Sequence, residues 1–453
     1  MTILVMAPFK LGDFIQSTPF LSELRKDYLK EEIVLIALRG EVAEAAQLTN
    51  LVDRAILLTE EEFREGRSKN LEGSPDLLVN LSSAPAALNF GPKLRPRQIL
   101  GPRQDGEKII LPLAQKLVQA VMQVNRRLGR LNLVDMWRLL SPKGAQASRE
   151  LVWPKNIGRD LSSSEAKRAA PKIGFQLGCG HKLRRWPIEH FRQLASQLSP
   201  IEIILLGGRA EKSLAKHFLD LKGPKIDQTL NLCGQTSLSD LGAVLGSLDL
   251  LVAVDTGVTH LAAALGTPIA ALFGGPAYAF ETGPYSLKAL SVQGKCDCSP
   301  CVETNPCPKR LCPALPPVDI AAQAANIILN RSLTFINEPN SPPASFSIYR
   351  TEPSALGLRL LSITNTALDD ETKLALAIEE AQAAILNPKT QGELNQNLLS
   401  HYRPSKGGLS TLELTKTILK VADGLADQLP LREAFFSAAR ESLTKIELWE
   451  KNQ

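Results

Sequence analysis

The sequence predicts an α/β protein: two doubly wound, parallel-sheet domains facing each other across a cleft, followed by a C-terminal helical extension. Three observations carry this. Short apolar runs alternate with amphipathic stretches from Met1 to about Pro154, and again from Lys172 to about Asn330. Strands that alternate with helices imply right-handed crossovers and a parallel sheet covered on both faces. The chain has 453 residues, more than one ordinary domain holds. Beyond about residue 345 the strand signal nearly vanishes and apolar residues recur at helical spacing. The expected divisions are 1–155, 171–330 with a cysteine-rich loop at 295–313, and 345–453.

The elements follow in order. In the first domain "TILVMAP" reads as a strand, "DFIQSTPFLSELRKDY" as a helix and "EEIVLIAL" as a second strand. "EVAEAAQLTN" reads as a helix, and "VDRAILL" and "PDLLVNL" as strands three and four. "NIGRDLSSSEAKRAAP" is polar and reads as a linker. The second domain opens on the strand "KIGFQLG" and the helix "IEHFRQLASQL". It continues through "IEIILLGG" (strand), "AEKSLAKHFLDL" and "SLSDLGAVLGSL" (helices) and "DLLVAVDTG" (strand and loop). "VTHLAAALG" (helix), "PIAALFGG" (strand) and "VDIAAQAANIIL" (helix) close it. The last hundred residues, including "DDETKLALAIEEAQAAILN" and "LREAFFSAARESLTKIELWEKN", give three to five helices suited to an acceptor-binding cap, self-association or a partner platform.

Composition narrows the function. Hydrophobic residues make up 44% and charged residues 22%, the balance of a globular protein with substantial cores. A net charge of +5 suits anionic small molecules or an anionic membrane surface. Aromatics are only 5% and do not interleave with the basic residues, which argues against nucleic acid. The clusters "PKLRPRQILGPR" and "NRRLGR" read as solvated faces. "MTILVM" lacks the basic start of a secretory signal, and no apolar run is long enough to span a bilayer. Seven cysteines, five of them clustered, point to a reducing cytoplasm rather than a secreted disulfide scaffold.

In an open parallel sheet, ligands bind beyond the carboxyl ends of the strands, where helix N-termini point. Three loops stand there. In "APFKLGDFIQSTP", Gly12 permits a tight turn and Asp13 enters the next helix, as an N-cap or as a catalytic base. The loop is not GxGxxG, so a dinucleotide is disfavoured. In "AVDTGVTHLAAALGTP", Asp255, Thr256 and Gly257 turn from strand into helix. Free N–H groups and the helix dipole there favour a phosphate, and Thr256 adds a hydroxyl. His260 lies on the first turn, as a ligand contact or a hydrogen-bonded structural histidine. In "GCGHKLRRWP", Lys182, Arg184 and Arg185 beside two glycines suit a diphosphate.

Four segments, "VAVDTGVTHLAAALGTPIAALFG", "NLCGQTSLSDLGAVLGSLDLLV", "RRWPIEHFRQLA" and "FKLGDFIQSTPFLSELR", together resemble the family 9 glycosyltransferases. These are the ADP-heptose:lipopolysaccharide heptosyltransferases and their relatives, and the likeness covers roughly residues 1–330. The resemblance implies a GT-B fold, with the acceptor on the first Rossmann-like domain and the nucleotide sugar on the second. It implies inverting transfer without a catalytic metal, and the chain carries no convincing Asp-x-Asp element at a strand end. On that resemblance Asp13 is the general base, with Lys10, Gly12, Ser17 and Thr18 on the acceptor side. Gln176, Gly178, Lys182, Arg184, Glu211, Asp255, Thr256, Gly257 and His260 bind the donor, an ADP-sugar. Arg184 stands where the family usually has lysine, and Cys179 where small hydroxyls are common. The implied partner is a lipopolysaccharide-type or other lipid-linked glycan met at the inner membrane surface by a cytoplasmic, peripheral enzyme, and the long helical extension leaves a different glycan or a protein acceptor open.

Direct inverting transfer needs no covalent enzyme intermediate, so the five cysteines of "KCDCSPCVETNPCPKRLCP" are superfluous as nucleophiles. Four thiolates, Cys298, Cys301, Cys307 and Cys312, match a tetrahedral structural clip for zinc or iron, with Cys296 as spare or substitute. Some relatives in the family carry a similar insertion. Free thiols or a disulfide are the alternative. Two other functions stay open: a catalytically silent GT-B scaffold, and a sugar-nucleotide epimerase of similar fold.

Overall fold

The computed structural model describes the chain except residues 8–9, 66–72, 156, 162–169, 222–227, 297, 302–315, 331–345, 365–366, 388–402, 405–410, 426–428 and 452–453; at 367–368, 403–404, 411–412 and 429 only the backbone is described. The first lobe holds a five-stranded parallel sheet. Its order is Arg54–Leu57, Glu32–Ala37, Thr2–Met6, Leu77–Asn80, Gln98–Leu100. The central strand is buried from Ile3 to Met6, as a strand covered on both faces must be. The fifth strand, Gln98–Leu100, has no counterpart in the sequence reading.

The second lobe carries an eight-stranded sheet. Six strands are parallel, in the order Gln228–Asn231, Glu202–Leu206, Lys172–Gln176, Leu250–Val254, Ile269–Phe273, Ala289–Gly294. Two antiparallel strands, Phe346–Pro353 and Leu358–Ser362, then extend the edge. This corrects the expectation that the lobe closes near Asn330 and that everything beyond 345 is helical. In both sheets the strand order reverses beside the first strand of the lobe, which opens a crevice at its carboxyl end.

Among the described residues the extension contributes the helices Asp370–Leu386, Thr411–Asp423 and Leu429–Lys451. Their apolar faces (Ile378, Ile418, Val421, Phe435, Leu443) close over Leu117, Ala120 and Val121 of the first-lobe helix Leu113–Val124. The extension is therefore packed onto the first lobe. No helix among the described residues is long and apolar enough to cross a membrane.

The lobes share one continuous apolar core, which runs from Ile3, Val5 and Phe14 to Leu248, Leu251 and Leu261. Polar latches reinforce it. "NRRLGR", expected as a solvated face, is the principal one. Arg126 donates to both carboxylate oxygens of Glu281, through Nε at 2.6 Å and Nη2 at 2.5 Å, and to the carbonyls of Cys301 and Pro276. Arg127 donates to the carbonyls of Ser299 and Cys296 and accepts the Tyr278 hydroxyl at its own carbonyl. The Arg130 guanidinium lies 3.7 Å over the Phe280 ring. These side chains order the start of the cysteine-rich loop against the other lobe. "PKLRPRQILGPR" does stay solvated: Arg95, Arg97 and Arg103 are exposed.

Candidate functional site

A cleft of about 780 Å³ lies between the lobes at the carboxyl ends of both sheets. Two helix N-termini meet in it. The helix Leu11–Asp27 brings Gly12 and Asp13, and the helix Gly257–Leu265 begins directly after the buried strand Leu250–Val254. The approach is close because both positions are glycine. A Cβ on Gly12 would sit 2.9 Å from the His260 ring and 3.2 Å from the Gly257 Cα.

Asp13 faces this gap. Burial pushes its carboxyl up to about 6, Lys10 opposes the rise, and the Asp255 charge adds to it. Asp13 is not the N-cap residue, which is Lys10, but its carboxylate accepts a main-chain hydrogen bond from Lys10, which also opposes the rise.

On the facing wall Asp255 accepts from Arg184 Nη1 at 3.0 Å, and His260 Nε2 stands 3.8 Å from its other oxygen. Burial keeps the His260 imidazole below its usual range despite Asp255. Thr256 is the N-cap of the Gly257 helix and makes no side-chain cap bond there. Gly178 also lines the cleft and lets Glu211 close on it: a Cβ there would fall 2.2 Å from the Glu211 Cγ and displace that side chain. Glu211 accepts from the Gly208 N–H at 2.8 Å, which fixes it at the cleft edge.

The cleft thus collects Lys10, Gly12, Asp13, Gln176, Gly178, Arg184, Glu211, Asp255, Thr256, Gly257 and His260. Three expected residues are placed elsewhere. Lys182 is exposed on a 3-10 turn and does not line the cleft. Ser17 and Thr18 are fully buried and serve their own helix. Pro19 cannot donate to the Ile15 carbonyl, and the Thr18 hydroxyl does so instead at 2.6 Å, while Ser17 donates to Phe14 at 2.7 Å. Thr18 also accepts from the Val152 N–H. Neither hydroxyl is offered to a ligand.

The sequence reading missed Arg126, Tyr278, Glu281 and Gln16, all of which line the cleft. Of these only Arg126 left a signal, in a basic cluster assigned to solvent. The cysteines are divided. Cys301 lines the cleft, and Cys296 and Cys298 bring their sulfurs to 3.7 Å. Cys307 and Cys312 lie outside the described residues. Among the described residues no group of three or more His, Cys, Asp or Glu is arranged to hold a metal ion.

Four cleft side chains hold a polar atom that is buried and without a hydrogen-bond partner: Gln16 Nε2, Gln176 Oε1, His260 Nδ1 and Thr282 Oγ1. Buried polar atoms are nearly always paired, so such a concentration marks a site shaped for a polar ligand. The fold and site together define a two-lobed α/β protein that offers a carboxylate from one lobe and an anion-binding helix end from the other.

The comparisons with known proteins agree. Residues 121–310 match the model of glycosyltransferase family 9 (heptosyltransferase). Lipopolysaccharide heptosyltransferase 2 of Salmonella typhimurium is 32% identical over 158 residues, which are 32% of this chain and 44% of that relative. The aligned stretch therefore spans less than half of that protein. Lipooligosaccharide heptosyltransferase 2 of Haemophilus ducreyi is 24% identical over 320 residues, 65% of this chain and 88% of the relative. The solved structure of E. coli ADP-heptose lipopolysaccharide heptosyltransferase II superposes with a TM-score of 0.52 at 20% identity, covering 73% of this chain and 99% of that one; it shows a shared fold. Residues 121–310 thus match glycosyltransferase family 9, and the chain is similar to the heptosyltransferases.

Proposed function

We propose that this cleft transfers a sugar, heptose in the first instance, from an ADP-sugar to a hydroxyl of a lipopolysaccharide-type acceptor, with inversion and without a catalytic metal. The observation that carries it is the placement of Asp13, raised to about 6, opposite the N-terminus of the Gly257 helix in one cleft.

The donor diphosphate takes the helix end, where main-chain N–H groups and the Thr256 hydroxyl donate to it. Arg184 turns part of its charge from Asp255 to the phosphates and steadies the leaving nucleotide. Ionised Asp13 accepts the proton of the acceptor hydroxyl as that oxygen attacks the anomeric carbon from the opposite side. The bond to the diphosphate breaks, and the configuration inverts. A carboxyl near 6 suits this role because it is ionised at neutral pH and still a usable base. Asp255, bonded to Arg184, sets the orientation of the Arg184 fork. The acceptor lies at the inner membrane surface, and the enzyme works there from the cytoplasm. The extension packed on the first lobe is a platform for that surface or for self-association.

Two predictions arise here. Arg184→Gln should weaken ADP binding about tenfold, the loss expected for one charge-assisted contact, as read by calorimetry. An unchanged affinity would remove Arg184 from the donor site. Gly12→Ala should lower turnover at least about tenfold with ADP affinity within twofold, because the new methyl forces the two helix ends apart and misplaces Asp13.

The function itself is tested with ADP-heptose and other nucleotide sugars, each with and without core-truncated lipopolysaccharide. Nucleotide release that depends on acceptor supports transfer. An epimerised donor, or no binding at all, would replace the proposal with an epimerase or a silent scaffold.

A further inference from the structure

We infer that Gln16 reads the acceptor: its side-chain amide bonds an oxygen of the acceptor sugar next to the hydroxyl that Asp13 deprotonates, so the cleft selects acceptors with vicinal oxygens. This rests on reading the cleft as a glycosyl-transfer site. Gln16 lies three residues beyond Asp13, one turn along the same face of the Leu11–Asp27 helix. It lines the cleft and is only 1% exposed, yet its Nε2 has no hydrogen-bond partner.

Leaving a buried amide unpaired is destabilising, so a helix that needed only packing here is better served by leucine or methionine. The neighbouring hydroxyls cannot meet that need, since Ser17 and Thr18 are spent on the helix's own carbonyls. The other orphaned cleft atoms, on Gln176, His260 and Thr282, belong to the opposite lobe. On the first-lobe wall, among the described residues, Gln16 is the cleft-lining side chain with a buried, unpartnered donor. A neutral amide beside an ionised carboxylate suits a sugar oxygen: it donates without adding a second negative charge and holds the ring so that one hydroxyl meets Asp13.

The test compares the parent protein with Gln16→Leu and Gln16→Asn, using ADP-heptose and core-truncated lipopolysaccharide. Acceptor KM, kcat and ADP affinity are measured for each. Expected is an acceptor KM raised at least about tenfold in Gln16→Leu, with Gln16→Asn between it and the parent and ADP affinity within twofold in both. An acceptor KM within twofold of the parent in Gln16→Leu overturns the inference. So does a loss of ADP affinity that parallels the loss of acceptor affinity in both variants, which would make Gln16 a packing residue. If the parent itself transfers no sugar, the proposed function has failed, a result distinct from either.

Discussion

Asp13→Asn should give a protein that turns over about a thousandfold more slowly, binds ADP with parental affinity, and is more stable than the parent at pH 8. The loss of rate follows from removing the proton acceptor while every donor contact stays on the other lobe. The gain in stability follows from linkage. The carboxyl titrates near 3.8 when unfolded and at about 6 when folded. Between those values the native state binds more protons than the unfolded state, so this group's contribution to stability falls as pH rises from about 4 to about 6 and stays low above. The full difference corresponds to roughly 3 kcal/mol, of which relaxation and water in the cleft leave about 1–2 kcal/mol. Asparagine has no charge to desolvate. Denaturant midpoints at pH 8 and pH 4 should therefore show a gain for the variant that disappears in acid. The parent's acceptor kcat/KM should rise through a limb near pH 6. Equal stability at both pH values would mean that Asp13 is well solvated and not the tuned base described above.

Asp135→Ala should destabilise the fold by about 3–5 kcal/mol, the range for removing one partner of a buried ion pair. Asp135 is 1% exposed and Arg138 is fully buried. Arg138 Nε donates to Asp135 at 2.8 Å, and the Tyr285 hydroxyl reaches the same oxygen from the other lobe at 2.7 Å. The Leu358 N–H of the added edge strand points at the second oxygen from 3.4 Å. One carboxylate therefore ties the first lobe to the second lobe and its edge. Its loss strands a buried guanidinium whose Nη1 alone keeps protein partners, the carbonyls of Ala145 and Ala147. Asp135→Asn should recover part of the loss, since the amide oxygen still accepts from Tyr285. Chemical denaturation checks both, and a cost below about 1 kcal/mol for alanine would show that the network contributes little.

Much of this was legible in the sequence, for physical reasons. Strands buried on both faces are continuous apolar runs, so "TILVM", "IVLIA" and "LLVAV" declare a parallel sheet without their partners. Asp255–Gly257 declares a site because a glycine at a strand-to-helix turn admits a ligand to free N–H groups. Other features left no distinct mark. Phe346–Pro353 (FSIYRTEP) has neither a continuous apolar run nor a clean alternation, and the helical stretches after it dominated the pattern. "NRRLGR" looks like any solvated basic turn until Glu281 and the loop carbonyls close on it. Ser17 and Thr18 have the same composition whether they meet a sugar or replace the bond that Pro19 cannot make. Lys182 and Arg184 are two residues apart on a short 3-10 turn, and only the second turns inward.

The central claim is that a carboxylate and an anion-binding helix end, from opposite lobes, meet over one anomeric carbon. A crystal structure with an unreactive ADP-sugar analogue tests it most directly. The diphosphate should lie against Thr256 and Gly257, with the anomeric carbon roughly 5–7 Å from the Asp13 carboxylate, room for one acceptor hydroxyl between them. A sugar directed away from Asp13, or a nucleotide bound outside this cleft, would contradict it.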